Sequence, residues 1–292
     1  MTDPSREQWP ARYSDDRFNI PANYGTTQVA VPQRRVFLPI VLFVATCATT
    51  YMANGAAFCL AIMVTLTAHE LGHFLQAVRY RVPTSLPYFI PMPISPIGTM
   101  GAVIGMQAGM GNRRSLFDIA ITGPLAGLVP ALVFSAIGLQ LSEVRPIEKE
   151  AASLMLGEPL IFQLLAYWTF GPLPDELDIS LHPVGFAGWV GIFITALNLF
   201  PIGQLDGGHI LYALLRKRAH TVAMIIFGLA AVGVFVLGYQ SWTLMIFLLL
   251  MMGIKHPPTA NDDMPLGGVR TVLGWVSLLF LFVGFTPTPI IF

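Results

Sequence analysis

The sequence predicts an all-α polytopic membrane protein of about six to seven transmembrane helices, with a re-entrant or interfacial β-hairpin near residues 82–105. Three observations carry this. Of the 292 residues, 54% are hydrophobic and only 11% are charged, against about 25% charged in a soluble domain. Apolar runs near the roughly 20 residues needed to cross a bilayer recur along the chain. The basic residues between the runs fall almost entirely on one side.

Residues 1–35 hold Asp3, Arg6, Glu7, Arg12, Asp15, Asp16 and Arg17 and no apolar core. They read as a polar cytoplasmic tail rather than a signal peptide. The integral membrane domain occupies 36–292. Its apolar runs lie at about 36–52, 56–80, 116–141, 184–200, 220–238, 242–254 and 272–285. With the N-terminus inside, 14 of the 16 Lys and Arg residues are cytoplasmic and only Arg145 and Lys149 are outside, as the positive-inside rule requires. This fits a bacterial cytoplasmic membrane with the active-site opening on the cytoplasmic side. The outer loop, 142–183, is acidic and contains one apolar stretch, 160–168, too short to span. Residues 82–105 hold five prolines, which break helices, yet they are too apolar for a solvated loop. Such backbone is tolerated at membrane depth only against protein or a cavity. Zero net charge gives no sign of a nucleic-acid partner. Cys47 and Cys59 lie in apolar runs and suggest neither a disulfide nor a thiolate metal site.

The chemistry is concentrated in His69-Glu70-Leu71-Gly72-His73. Residues i and i+4 share a helix face, so His69 and His73 can bind one metal while Glu70 reaches the reacting water. Three ionisable side chains within a spanning helix are costly and mark function. Counting back from Arg79 and Arg81, the pair sits about 9 to 15 Å below the cytoplasmic surface at 1.5 Å per residue. A catalytic zinc takes three protein ligands and keeps one open position. Asp206, in the segment Asn198-Leu-Phe-Pro-Ile-Gly-Gln-Leu-Asp-Gly-Gly-His209, is the candidate third ligand, with His209 as rival. Asn198, inside an apolar run, is a candidate for binding substrate backbone or the oxyanion, or a brace of the bundle. Asp118 reads either as a partner of a zinc ligand or as an interfacial carboxylate. Gly123 and Gly127 read as a helix-packing pair.

At these residues the chain resembles the site-2 protease family of intramembrane zinc metalloproteases. The resemblance covers most of 36–290. It rests on HExxH, on Asn198-Leu-Phe-Pro leading to Leu205-Asp206-Gly207, and on Phe117-Asp118 through Gly127. The proline-rich stretch 87–106 supports it, as do Lys255-His256-Pro257-Pro258 and Phe285-Thr-Pro-Thr-Pro289, which look like one prokaryotic and plastid subgroup. It implies one Zn2+ per chain held by His69, His73 and Asp206, Glu70 as general base, and transmembrane protein substrates. The outer loop is too small for the PDZ domain of many members and no CBS domain is apparent, so a compact form is expected. Two other classes stand beside it. A membrane zincin of the HtpX-like kind would take Glu as third ligand, but the later Glu residues all fall in the outer loop. A metal-ion transporter would need polar residues along several spans. Substrate identity and oligomeric state are not readable from the sequence.

Overall fold

The computed structural model describes residues 36–106, 111–146, 155–174, 176–239 and 242–291. The expected tail, 1–35, lies outside them. Eight helices and six short strands occur among the described residues. Three helices are long and apolar enough to cross a membrane: α1 (Phe37–Arg79), α2 (Arg113–Gln140) and α6 (Arg218–Phe235). Shorter apolar helices are α3 (Leu160–Phe170), α4 (Pro183–Asn198), α7 (Thr243–Met252) and α8 (Gly268–Gly284). The 10-residue α5 (Asp206–Leu215) completes the set.

The first two expected runs form one helical element that doubles back. Asn54 and Gly55 leave helical geometry, Gly55 at φ 79°, a conformation glycine alone reaches without strain. Cys59 Sγ then lies 3.3 Å from the Cys47 carbonyl oxygen. In a straight helix twelve residues would separate them by about 18 Å. The two arms of α1 are therefore antiparallel, and the second arm carries HELGH.

This arm packs against α2 through small residues. A Cβ on Gly72 would stand 2.5 Å from the Thr122 carbonyl oxygen, and the Thr122 hydroxyl donates to the Gly72 carbonyl at 3.1 Å. The α2–α4 contact has the same character: a Cβ on Gly138 would meet Gly185 N at 2.0 Å. Backbones this close maximise dispersion contact where lipid offers no hydrophobic drive. Phe58, Ile62 and Leu66 of α1, Leu139 of α2 and Trp189 and Ile192 of α4 bury into one core. A second core joins Phe117 of α2, Ile210 and Tyr212 of α5 and Leu278 of α8.

The expected hairpin is present. β1 (Tyr88–Pro91) pairs antiparallel with β2 (Thr99–Val103), with an irregularity between Phe89 and Pro91. Its tip is tied to the α1 turn by the Asn54 side-chain amide, which donates to the Pro96 carbonyl at 2.7 Å. Two further pairings were not anticipated: β3 (Glu143–Pro146) with β5 (Leu177–Ser180), and β4 (Met155–Leu156) with β6 (Ile290–Ile291). Each partner lies over 30 residues away, so local pattern gives no sign of them.

Between α7 and α8 the chain runs as a strap, 253–267, with no helix. It is pinned at both ends of the site. Gly203 N donates to Ile254 O at 3.1 Å, Ala260 N to Gly111 O at 2.9 Å and Arg113 N to Asn261 O at 3.2 Å. The Arg113 guanidinium caps the C-terminus of α5, donating to the carbonyls of Ala213 and Leu214, which have no partner within their own helix.

Candidate metal centre

The HELGH arm of α1 presents His69 and His73 to the N-terminus of α5, where Asp206 is the first helical residue. The chain reaches this point by leaving α4 at Asn198 and turning through 199–205. Gly207 and Gly208, which as glycines would be expected to interrupt a helix, lie inside α5, where they admit close neighbours: a Cβ on Gly207 would stand 2.0 Å from the Leu199 carbonyl oxygen. The break is made by the Pro201–Gln204 turn, and the two glycines let α5 fold back tightly on the end of α4.

His69 Nε2 and His73 Nε2 are 3.2 Å apart. Asp206 Oδ2 is 3.3 Å from the first and 3.2 Å from the second. Ligand atoms held at about 2.0–2.1 Å from a tetrahedral zinc lie roughly 3.3 Å from one another. The spacing of the three atoms is that expected for three of the donors around a tetrahedral zinc. Both histidines are buried, so three converging donors without a cation between them would be unfavourable. The residues present fit zinc.

The ring orientation of His73 is fixed by its far side. His73 Nδ1–H donates to the Ile119 carbonyl at 2.7 Å, which assigns the proton to Nδ1 and leaves Nε2 bare for the metal. Two glycines make room for the pair. A Cβ on Gly123 would lie 2.0 Å from His73 Nε2, and one on Gly127 would lie 2.9 Å from His69 Cβ. The glycines read from sequence as packing residues therefore pack against the two candidate metal-binding histidines. Glu70 is buried, and it lines the same cavity of about 260 Å3 as His69, His73 and Asp206. The Asn198 side-chain nitrogen lies 3.3 Å from His69 Nε2, so this residue stands beside the centre.

Two candidates fall elsewhere. Asp118 touches neither histidine. Its carboxylate accepts from Arg270 Nε at 2.7 Å and Nη2 at 2.9 Å, and from the Tyr80 hydroxyl. It clamps the end of α1 to α2 and α8, one residue from the carbonyl that holds His73. His209, the rival ligand, is outside the group of converging metal donors. Its Nδ1 is 2.6 Å from His256 Nε2. His256 also lines the cavity. It stands 47 residues from His209 in a proline-flanked strap, so no periodicity could have paired them. The strap is held near this point by Asp262. Burial alone would raise its carboxyl, but the Thr259 hydroxyl, the Tyr212 hydroxyl and the Thr259 amide bond the charged form and hold it below the usual carboxylate value.

The chain is similar to known zinc metalloproteases. Residues 57–237 match the family described as Peptidase family M50. The protein named "Probable zinc metalloprotease EGY1, chloroplastic" of Arabidopsis thaliana is 32% identical over 240 residues, covering 77% of this chain and 42% of that one. Its namesake in Oryza sativa subsp. japonica is 30% identical, over 75% and 38% of the two chains. The Arabidopsis protein named "Probable zinc metalloprotease EGY2, chloroplastic" is 29% identical, over 68% and 36%. The matched region thus spans less than half the length of these relatives. No solved structure matches. With the family matched across more than half of its length and the ligand triangle falling within that match, the chain belongs to peptidase family M50.

Proposed function

We propose that this protein is an intramembrane zinc metalloprotease that hydrolyses peptide bonds of transmembrane proteins. The observation that carries the proposal is the triangle of His69, His73 and Asp206 in one cavity with Glu70. Bound zinc would supply the Lewis acidity that makes water reactive near neutral pH. His69, His73 and Asp206 hold the ion. Glu70 takes the proton from the attacking water and passes it to the leaving amine. Asn198, beside His69, donates its amide hydrogens toward the developing oxyanion.

A substrate helix must unwind before its amides can reach this cavity. Ala102, Val103 and Ile104 at the end of β2 line it, and β2 pairs only with β1 among the described residues. An unwound segment adding to the free edge of β2 would enter the cavity extended. The two arms of α1 with α2, α4, α6, α7 and α8 make up to seven crossings. The basic residues flanking α2, α6 and α8 support an orientation with the cavity toward the cytoplasmic side, or toward the corresponding side of a plastid membrane. An HtpX-like zincin is not favoured, because an aspartate takes the third corner. A transporter is not favoured, because the polar residues converge on one closed centre instead of a path.

The test is a proteomic comparison of membrane-derived peptides in cells carrying the wild-type protein or Glu70→Gln. The variant should keep its zinc and accumulate uncleaved membrane proteins. Identical profiles under several stresses would sink the proposal.

A further inference from the structure

The geometry points to His209 as a substrate-positioning residue, presenting an unprotonated Nε2 to the cavity as a fixed hydrogen-bond acceptor for a substrate backbone N–H. This deepens the protease reading and rests on it.

The argument is a chain of tautomers. It begins at the Pro257 carbonyl, which lies in contact with His256 Nδ1. A carbonyl oxygen only accepts, so His256 Nδ1 carries the hydrogen. His256 is buried, and neither it nor His209 forms an ion pair among the described residues; Asp262 and Asp206 act on the two rings only beyond ion-pairing distance. A buried imidazole with no carboxylate bonded to it is held neutral. The Nε2 of neutral His256 is then bare. The 2.6 Å contact with His209 Nδ1 must be a bond that His209 Nδ1–H donates. That fixes the second ring in turn, leaving His209 Nε2 as a lone pair.

The surroundings hold this chain in place. The His256 ring stacks on Tyr212 at 4.4 Å and 22° and meets the His209 ring edge-on at 4.7 Å and 85°. Tyr212 donates its hydroxyl to Asp262 at 2.7 Å, and His220 Nε2–H donates to the His256 carbonyl at 3.0 Å. Rotation of His256 would break the stack and both imidazole bonds together.

His209 Nε2 has no partner among the described residues, and no buried side-chain nitrogen or oxygen there lacks one. The atom is therefore open to the cavity His209 lines. His209 is one turn beyond Asp206 on α5, so an acceptor there stands next to the metal centre. Helices and sheets consume their own amide hydrogens, whereas an unwound segment exposes them. A lone pair that cannot donate selects the N–H side of such a segment and sets its direction in the cavity.

The test uses the zinc-loaded full chain in lipid nanodiscs with nitrogen-15 histidine. The protein has six histidines, and the difference spectrum against His209→Gln assigns the ring. The expected result is a bare Nε2 and a protonated Nδ1 at His209. In His256→Phe, which keeps a ring against Tyr212 and removes the acceptor, the tautomer should become mixed. Binding is then measured on the Glu70→Gln background with fluorescein-labelled casein, an unstructured polypeptide. Adding His209→Phe should weaken binding about ten-fold, the scale of one lost hydrogen bond, with one zinc retained per chain. A protonated Nε2 at His209, unchanged casein binding, or loss of zinc would each overturn the assignment. Equal casein cleavage by wild type and Glu70→Gln would instead defeat the protease reading while leaving the tautomer result intact.

Discussion

Replacing Gly123 by alanine should eject the metal. The added methyl would sit 2.0 Å from His73 Nε2, 2.3 Å from Cε1 and 2.4 Å from Cδ2. Ordinary contact begins near 3.4 Å, so the ring must withdraw by about 1.4 Å or α2 must move away by as much, in an interior packed too densely to yield freely. Zinc ligands tolerate displacements of only about 0.2 Å. The Nδ1 bond to Ile119 resists rotation about that side, and Gly72 already touches Thr122, so the helices cannot simply close elsewhere. Disturbing groups that merely orient a ligand costs about 10- to 100-fold in metal affinity. Displacing the ligand itself should reach at least the upper end of that range. Gly127→Ala is milder, because its methyl would lie 2.9 Å from His69 Cβ and 3.1 Å from Nδ1, an overlap of a few tenths of an ångström. Gly228→Ala, with no neighbour within 4 Å, is the control. The assay is zinc stoichiometry and chelator competition on purified protein, alongside thermal unfolding. Wild-type zinc affinity in Gly123→Ala would refute the reasoning, as would equal losses in all three variants.

Two further predictions concern the residues around the centre. Asp206→Ala should lose bound zinc while His209→Ala keeps one ion per chain; metal analysis of the two proteins decides, and the reverse pattern would make His209 the third ligand. Asp118→Asn should lower stability by about 2 kcal/mol, the scale of a lost charge-assisted hydrogen bond, by loosening Arg270 and Tyr80. Zinc content should stay at one per chain, and denaturation in detergent of Asp118→Asn beside Arg270→Gln should show non-additive losses.

The candidate metal centre was legible because helix geometry makes two of its donors local. His69 and His73 are one turn apart, and any helix through them brings their rings together. Asp206 was legible by chemistry, as a carboxylate in a helix-breaking context at the same depth. The bounds of the longer helices followed from apolar runs, and the hairpin from proline density, whereas α5 (Asp206–Leu215) was not expected. What else escaped was non-local. Gly123 and Gly127 look like any small-residue packing pair until the opposing helix is known to present imidazoles. The His209–His256 contact joins a helix to a strap whose path is set by backbone bonds to Gly111 and Gly203. Asp118 allows two readings in sequence, a partner of a zinc ligand or an interfacial carboxylate, and only the position of α8 brings Arg270 to it.

The tie between Asn54 and Pro96 also has a thermodynamic side. Asn54 lies fifteen residues from His69 along the second arm of α1, about 22 Å at helical rise. The hairpin therefore reaches from the cavity, lined by Ala102 to Ile104, to the far turn of α1, a length comparable to most of a hydrocarbon layer about 30 Å thick. Its own side chains already meet part of the backbone: Gly101 N donates to Thr99 Oγ1 at 3.0 Å and Gly105 N to Ser85 Oγ at 2.9 Å. An unwound chain that extended the ladder would add bonds through main-chain atoms alone, whatever its side chains, so selection under the proposed function would fall to whichever segments unwind most easily.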